Sequence, residues 1–287
     1  MVLESLFNPF AVKKKPWEMF AAGLIYSFVA LGLSFLVFRE AAGLLTVFLI
    51  VLAASPILYS TVKNEEELDL QYDKEWLLLK EHTKVLIFLM FLFLGITVAF
   101  VLSYILLPDQ VVNSVFSLQQ QAILNVNNNI QEGITGNVTK LDIFSSILFN
   151  NIKVLFFCLV FSFLYGTGAI FILTWNASVI AAAMGSVFKN QVLTSAATTG
   201  VATSSHYIGA ALFSFFRYMT HGLLEIAAYF VAGLAGGIIS IALIKHNLKD
   251  DRVLLDSLDL ILISLGILVV AGIVEVYITP TFFAWSQ

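Results

Sequence analysis

Three ionisable residues stand at helical spacing inside the longest apolar stretch of the chain. Arg217, His221 and Glu225 follow one another at intervals of four within residues 207–245. At about 100° per residue, this spacing places the three side chains along one face of a helix. Ionisable groups are costly at membrane depth, so such a line predicts either a functional site or a hydrogen-bond network between helices.

The pair His221 and Glu225 has the spacing of two metal ligands on adjacent turns of a helix. A metalloprotease of the His-Glu-x-x-His type needs a second histidine and a third ligand, and neither follows this pair. Arg217 can reach Glu225 across two turns or pair with a neighbouring helix. Three interpretations therefore stay open: a network that fixes helix packing, a pathway for an ion or proton, and a metal site. No cofactor is expected from any motif.

Further polar residues near the ends of apolar stretches extend this line into what we call the predicted seam. The added residues are Asn150, Asn151, Lys153, Asn176 and Glu275. The first three open the predicted fourth span, and Asn176 closes it. Asparagine is a good helix N-cap, so capping explains these residues as well as a bond to His221 does. The carboxylate of Glu275 either reaches water or pairs with Arg217 or Lys153.

The composition places most of this chain in lipid. Of its 287 residues, 59% are hydrophobic and only 12% are charged, whereas soluble domains carry roughly 25% charged residues. A net charge of −4 argues against nucleic acid as a partner. The single cysteine, Cys158, excludes an intramolecular disulfide and a cysteine-based zinc cluster. The lipid bilayer is therefore the first expected partner.

The hydrophobic runs predict an all-α polytopic transmembrane bundle of six or seven spans. The predicted spans are 17–38, 41–62, 85–107, 143–174, 207–245 and 258–278, with a short apolar segment at 177–188. That segment has about 12 residues, where a full span needs about 20, so it is either re-entrant or part of a longer helix. The run 207–245 is too long for one span, and we predict a break near Gly222.

Three regions follow from this pattern. Residues 1–107 form an N-terminal membrane region with three spans and an amphipathic segment at 63–84, residues 108–142 an external Asn- and Gln-rich segment with an amphipathic helix, and residues 143–287 a membrane core. The external segment contains Asn137 in a glycosylation sequon. Lysines and arginines are concentrated on one side of the predicted spans, which places the N-terminus in the cytoplasm of a cell-membrane protein.

Two faces of small residues predict close helix packing. One consists of Ala177, Ala181 and Gly185, and the other of Gly233 and Gly237. Small residues at such spacing let two helix backbones approach each other. The faces serve either a homodimer or packing within one subunit.

Four segments in the second half of the chain carry a family resemblance. They are Asn150-Asn151-Ile152-Lys153-Val154, Trp175-Asn176-Ala177 with Met184-Gly185, His221-Gly222-Leu223-Leu224-Glu225 with Ala232-Gly233 and Gly236-Gly237, and Gly272-Ile273-Val274-Glu275-Val276-Tyr277-Ile278-Thr279-Pro280. In this order and spacing they resemble the stage II sporulation protein M family of integral membrane proteins, over residues 143–280. With the sequon, the resemblance implies an archaeal-type member.

The resemblance implies a function in membrane assembly. In endospore-forming bacteria the family member is similar in role to a scaffold for peptidoglycan hydrolases during engulfment. We therefore predict a scaffold that organises other membrane proteins without turnover. The alternative is a transporter or channel for an ion or small solute that uses Arg217, His221 and Glu225. An intramembrane metal-dependent enzyme is the third class, so enzymatic activity stays open.

Overall fold

The computed structural model describes residues 15–71, 75–134, 139–165, 168–244 and 251–283, and these ranges are helical without any strand. Seven of the helices are long and apolar enough to cross a membrane. The predicted all-α polytopic bundle is thereby confirmed, with seven candidate spans. The sequon residue Asn137 lies outside the described residues.

The helices follow one another with short connections. Their bounds are α1 Pro16–Val37, α2 Ala42–Gln71, α3 Glu75–Leu106, α4 Asp109–Val115, α5 Ser117–Ile134, α6 Lys140–Tyr165, α7 Ala169–Thr199, α8 Ser204–Ile244 and α9 Asp251–Ile273, then a π-helical turn Val274–Ile278 and α10 Thr279–Phe283. Pro16 opens α1 at a position where a missing N–H is harmless. Gly200 ends α7 in the left-handed region, at φ 82°.

The predicted fourth span at 143–174 is wrong, because it merges two helices. Helix α6 ends at Tyr165 and α7 begins at Ala169, so Asn176 lies inside α7 instead of closing a span. The chain turns back tightly here: a Cβ on Gly168 would lie 2.2 Å from the carbonyl oxygen of Phe161. Hydropathy alone cannot detect such a turn, since both sides of it are apolar. The segment 177–188 belongs to the 31-residue α7 and is not re-entrant.

The predicted break near Gly222 is absent, and α8 is one continuous helix of 41 residues. A glycine inside a helix costs only about 1 kcal/mol, which packing easily offsets. The second half of α8 is buried nearly all round, from Ala228 to Ile238. At 1.5 Å per residue α8 is about 61 Å long, beyond the roughly 40–45 Å of a bilayer with its headgroups. Helix α8 is therefore both the core of the bundle and an extension beyond the membrane.

Helix α8 packs against α6, α7 and α9, while α3 packs against α1 and α7. The predicted small-residue faces are used in these contacts. Ala177 and Ala181 are fully buried, and a Cβ on Gly185 would lie 2.5 Å from the Tyr104 ring. Gly233 approaches the Cβ of Ala169 in the same way, and Gly237 is buried in α8. Self-association stays a prediction, and it cannot use these faces.

The polar segment 63–84 is helical on both of its sides, because the two neighbouring helices continue into it. Helix α2 continues from its apolar part to Gln71, and α3 already begins at Glu75. Residues 63–71 of the predicted amphipathic segment therefore belong to α2, and residues 75–84 belong to α3. The amphipathic helix predicted within residues 108–142 is present as α4 and α5.

Candidate functional site

Polar side chains from three helices meet beside the middle of α8, and we call this group the central cluster. It consists of Asn151 from α6, His221 and Glu225 from α8, Glu275 from the π-helical turn, and Thr279 from α10. The four-residue spacing of His221 and Glu225 puts both on the face that packs towards α9. The central cluster therefore connects α6, the π-helical turn and α10 to α8, the longest helix.

The two carboxyl groups of the central cluster are bonded to each other and to an amide. The Nδ2 of Asn151 donates a hydrogen bond to Oε1 of Glu225 at 2.5 Å. The side chains of Glu225 and Glu275 also face each other within the cluster. Two ionised carboxylates repel each other and can only accept hydrogen bonds, so this contact favours a proton shared between the two carboxyl groups. The contact joins α8 to the end of α9 without leaving two adjacent negative charges in the bundle.

The histidine is oriented by a threonine. The Oγ1 of Thr279 donates to the carbonyl oxygen of Val274 at 3.1 Å, and it lies 3.4 Å from Nδ1 of His221. A hydroxyl has one proton, so it accepts from Nδ1–H of the imidazole. The other ring nitrogen, Nε2, then faces Oε1 of Glu275 at 4.0 Å. This places the titrating nitrogen of His221 opposite the carboxyl pair.

The π-helical turn Val274–Ile278 makes this arrangement possible. A π turn inserts one residue into an α-helix, and such insertions are frequent at functional sites. Here the wider turn lets the Thr279 hydroxyl reach the carbonyl oxygen five residues earlier. The same turn carries Glu275 towards α8. Pro280 follows this turn closely and has no backbone N–H to bond the carbonyl oxygen of Val276, so the sequence does carry a signal for an irregular helix here.

Only part of the predicted seam belongs to the central cluster. Asn150 and Lys153 are exposed on α6, although the adjacent Asn151 is buried. The Arg217 guanidinium lies 5.9 Å from the centre of the Phe213 ring, and Asn176 lies on α7, half-buried. The functional role of all of these residues stays a prediction.

One side of the central cluster is open. The side chain of His221 retains 15% exposure and that of Glu275 retains 28%. Lipid tails offer no hydrogen bonds, so an open polar edge at this depth needs water or another polar group beside it. The cluster is therefore satisfied within the chain on one side and accessible on the other.

A second polar cluster, absent from the predicted seam, lies at the opposite end of the spans. His82 of α3 is fully buried, with its Nδ1 3.0 Å from Oε2 of Glu65 on α2 and its Nε2 3.0 Å from Oδ2 of Asp256 on α9. Glu65 is fully buried as well, and 15% of the Asp256 side chain is exposed. We call these three residues the His82 clasp. It joins the second, third and last candidate spans.

Part of the His82 clasp could have been found in the sequence. Glu65 lies six residues before the last residue of α2, and His82 lies seven residues after the first residue of α3. Consecutive antiparallel helices bring such positions to a similar height. Asp256 gave no comparable signal, because it is far away in the chain and stands in an ordinary polar helix start.

Neither cluster has the geometry of a metal centre. Within the described ranges, no group of three or more His, Cys, Asp or Glu side chains is placed to hold a metal ion. In the His82 clasp the two carboxylates face different nitrogens of the ring, so they cannot converge on one cation. Proton sharing and helix joining are the chemistry that these residues support.

Comparison with known proteins places this architecture in a family. No curated protein and no solved structure matches the chain. The sequence model described as "Stage II sporulation protein M" matches residues 84–280, well over half of the chain. The match contains the whole central cluster and Asp256, whereas α1, α2 and His82 precede it. The chain therefore belongs to the stage II sporulation protein M family.

Proposed function

We propose that this protein is an integral membrane scaffold that holds partner proteins in the cell membrane without turnover. The observation that carries the proposal is the pairing of Asn151, Glu225 and Glu275 across α6, α8 and the end of α9. These polar groups are used to join helices. A polar group that serves helix packing is not free to carry a solute across the membrane.

A joined core of this kind gives a rigid platform. Interhelical hydrogen bonds in membranes contribute about 0.6 kcal/mol on average, and up to about 1.7 kcal/mol. The close approach of Gly236 to Leu159 and Ser162 adds dispersion contacts between α8 and α6. Rigidity is useful for a scaffold, because preorganised surfaces lose less entropy when they bind a partner.

The hairpin between α7 and α8 offers a surface for that partner. Lys189 of α7 pairs at 2.8 Å with Asp109, which begins α4 directly after α3. Residues 190–205 therefore extend past the end of α3, and they carry no charged side chain. Leu193 and Val201 in this hairpin are 67% and 68% exposed. Exposed apolar residues on a projecting element are typical of protein–protein contact sites.

Co-purification tests the scaffold. The chain should be isolated from its native membranes in mild detergent, with companion proteins at fixed stoichiometry. Val201→Glu should release the companions, because it places a charge on the hairpin surface. Val37→Glu is the matched control, since Val37 is similarly exposed, at 65%, at the end of α1. A wild-type chain that purifies alone, or equal loss in both variants, would contradict the proposal.

Transport is the second candidate, and the open edge of the central cluster is the observation that favours it. His221 and Glu275 share this edge beside a proton-holding carboxyl pair. The purified chain should be reconstituted in liposomes under a proton or sodium gradient. A flux in the wild type that disappears in Glu225→Gln would show that the protein is a transporter and would contradict the scaffold proposal. Absence of flux in protein that still melts cooperatively would leave the scaffold as the proposal.

We also propose that the N-terminus faces the cytoplasm. Lys63, Lys80 and Lys84 lie at the end of the spans that carries the His82 clasp, whereas Lys140 lies at the other end. The only native cysteine, Cys158, is buried, so single introduced cysteines can report sidedness. On intact cells an impermeant maleimide should label Lys140→Cys and should leave Lys84→Cys unlabelled. The reverse pattern would invert the topology.

A further inference from the structure

An apolar groove of about 300 Å³ lies between α3, α7 and α8, and no residue of either polar cluster lines it. Residues 94–105 of α3 form one wall, Met184 and Phe188 of α7 the second, and residues 211–219 of α8 the third. The groove opens sideways between large apolar side chains that remain exposed, namely Leu102, Leu212 and Phe215. In a chain embedded in lipid, this opening faces the bilayer.

The groove has the length of one lipid leaflet. Residues 94–105 rise by about 16 Å at 1.5 Å per residue, and half of a hydrocarbon core of about 30 Å is about 15 Å. The groove also ends one residue before the end of α3 at Leu106. It therefore runs from near the membrane surface to about the midplane. A single extended hydrocarbon chain has this shape.

One hydroxyl in the groove has no partner in the protein. Ser214 is 3% exposed, and its Oγ makes no hydrogen bond within the described part of the chain. The other hydroxyl of the lining, on Thr97, donates to the carbonyl oxygen of Phe93 at 2.9 Å. A buried hydroxyl left without a partner is costly, and a serine in a helix usually bonds back to its own backbone. Ser214 is therefore available to a bound molecule.

The position of Ser214 fits the polar part of a lipid. It lies three residues below Ala211, which is about 4.5 Å from the outer end of the groove. The ester or ether oxygens that join the chains of a lipid to its headgroup lie near this outer end of the hydrocarbon core. Lys189 follows Phe188 at the mouth of the groove, where its Nζ pairs with Asp109 at 2.8 Å and lies 5.4 Å from the centre of the Tyr104 ring. A cation at this height suits a phosphate headgroup.

We propose that this groove is a specific lipid site. It holds one hydrocarbon chain of a bilayer lipid from the leaflet at the Lys140 end, and the Ser214 hydroxyl donates to an ester or ether oxygen of that lipid. The apolar walls give affinity for the chain, and the hydroxyl fixes its height. The site is independent of the scaffold proposal, because it uses neither the central cluster nor the α7–α8 hairpin.

Retention of a defined lipid tests the site. The chain should be reconstituted in vesicles of dioleoyl phosphatidylcholine, extracted with detergent, and measured by native mass spectrometry. We expect one retained lipid per wild-type chain. Ala211→Trp should fill the mouth and lose the lipid, whereas Ile208→Trp, on the same helix and outside the groove, should keep it.

A second variant separates lipid binding from folding. Ser214→Ala should reduce retention about fivefold, as expected for one neutral hydrogen bond, and it should not lower the melting temperature of delipidated protein. Equal retention in wild type, Ala211→Trp and Ser214→Ala would overturn the proposal. A peptide helix or a second copy of the chain cross-linked into the groove in place of lipid would also overturn it.

Discussion

Replacing glycine by alanine at two positions of α8 tests the packing between α6 and α8. A Cβ on Gly236 would lie 2.5 Å from the carbonyl oxygen of Leu159 and 3.1 Å from the Cβ of Ser162, both on α6. A Cβ on Gly209 would meet nothing within 4 Å. Gly236→Ala must therefore displace the α6 backbone, whereas Gly209→Ala only changes helix propensity.

The opposite surroundings predict opposite signs. Replacing a helical glycine by alanine gains about 0.5–1 kcal/mol in propensity. Overpacking against a rigid neighbour costs about 1–3 kcal/mol, so Gly236→Ala should lose roughly 1–2 kcal/mol in net stability. At about 2–4 °C per kcal/mol, its melting temperature should fall by roughly 2–8 °C, and that of Gly209→Ala should rise by about 1–4 °C.

Thermal melting in one detergent, at a fixed scan rate, measures both variants. The fixed rate matters because unfolding of membrane proteins in detergent is often irreversible. Equal shifts of one sign would refute the close packing of α6 on α8. A fall in both variants would indicate that any added methyl group on this helix is harmful, independent of its neighbours.

Three further predictions use the same assay or simple labelling. Asn151→Ala should lose about 1–3 kcal/mol, because Glu225 loses its amide donor, whereas exposed Asn150→Ala should change stability by less than about 0.5 kcal/mol; equal losses would contradict the contact. His82→Ala should lose about 3–5 kcal/mol by breaking a buried pair, and an unchanged melting temperature would argue against the clasp. Cys158 is fully buried, so maleimide should react with it only after unfolding; rapid labelling of folded protein would contradict its burial.

The sequence predicted those parts of the fold that depend on local pattern. Long apolar runs located the spans: the first was predicted at 17–38 and is Pro16–Val37, and the third was predicted to end at 107 and ends at Leu106. The spacing of His221 and Glu225 placed both on one helix face. Local pattern failed at Gly168 and Gly222, because the consequence of a glycine depends on which backbone packs against it. Gly168 lies between two helices, and Gly222 lies inside a continuous one.

Contacts between distant segments were beyond sequence reasoning. Glu275 was predicted to reach water or to pair with Arg217 or Lys153; it lies against Glu225 and His221, with 28% of its side chain still exposed. A contact between two carboxyl groups is hard to predict from a sequence, because two carboxylates repel each other unless a proton lies between them. Pro280 signals an irregular helix next to Glu275, but it does not show which side chains the π-helical turn brings together.

The positions of the two polar clusters along α9 give them a common explanation. Asp256 and Glu275 are 19 residues apart, about 28 Å along a helix, which is close to the thickness of the hydrocarbon core. Between them α9 is largely exposed: only 28% of the residues in its most apolar stretch are buried. Lipid tails are as apolar as the side chains of the bundle, so the hydrophobic effect does not drive one helix against another inside the bilayer. Burial of apolar surface alone therefore cannot hold a peripheral helix in place.

Polar contacts at both ends solve this problem for α9. The His82 clasp fixes one end to α2 and α3, and Glu225 fixes the other end to α8. The first attachment reaches Glu65 and His82, which both precede residue 84, where the family match begins. Asp256 thus joins the family core to α2 and to the start of α3. The polar residues of this chain specify which helices are neighbours, and the apolar residues fill the contacts once the neighbours are chosen.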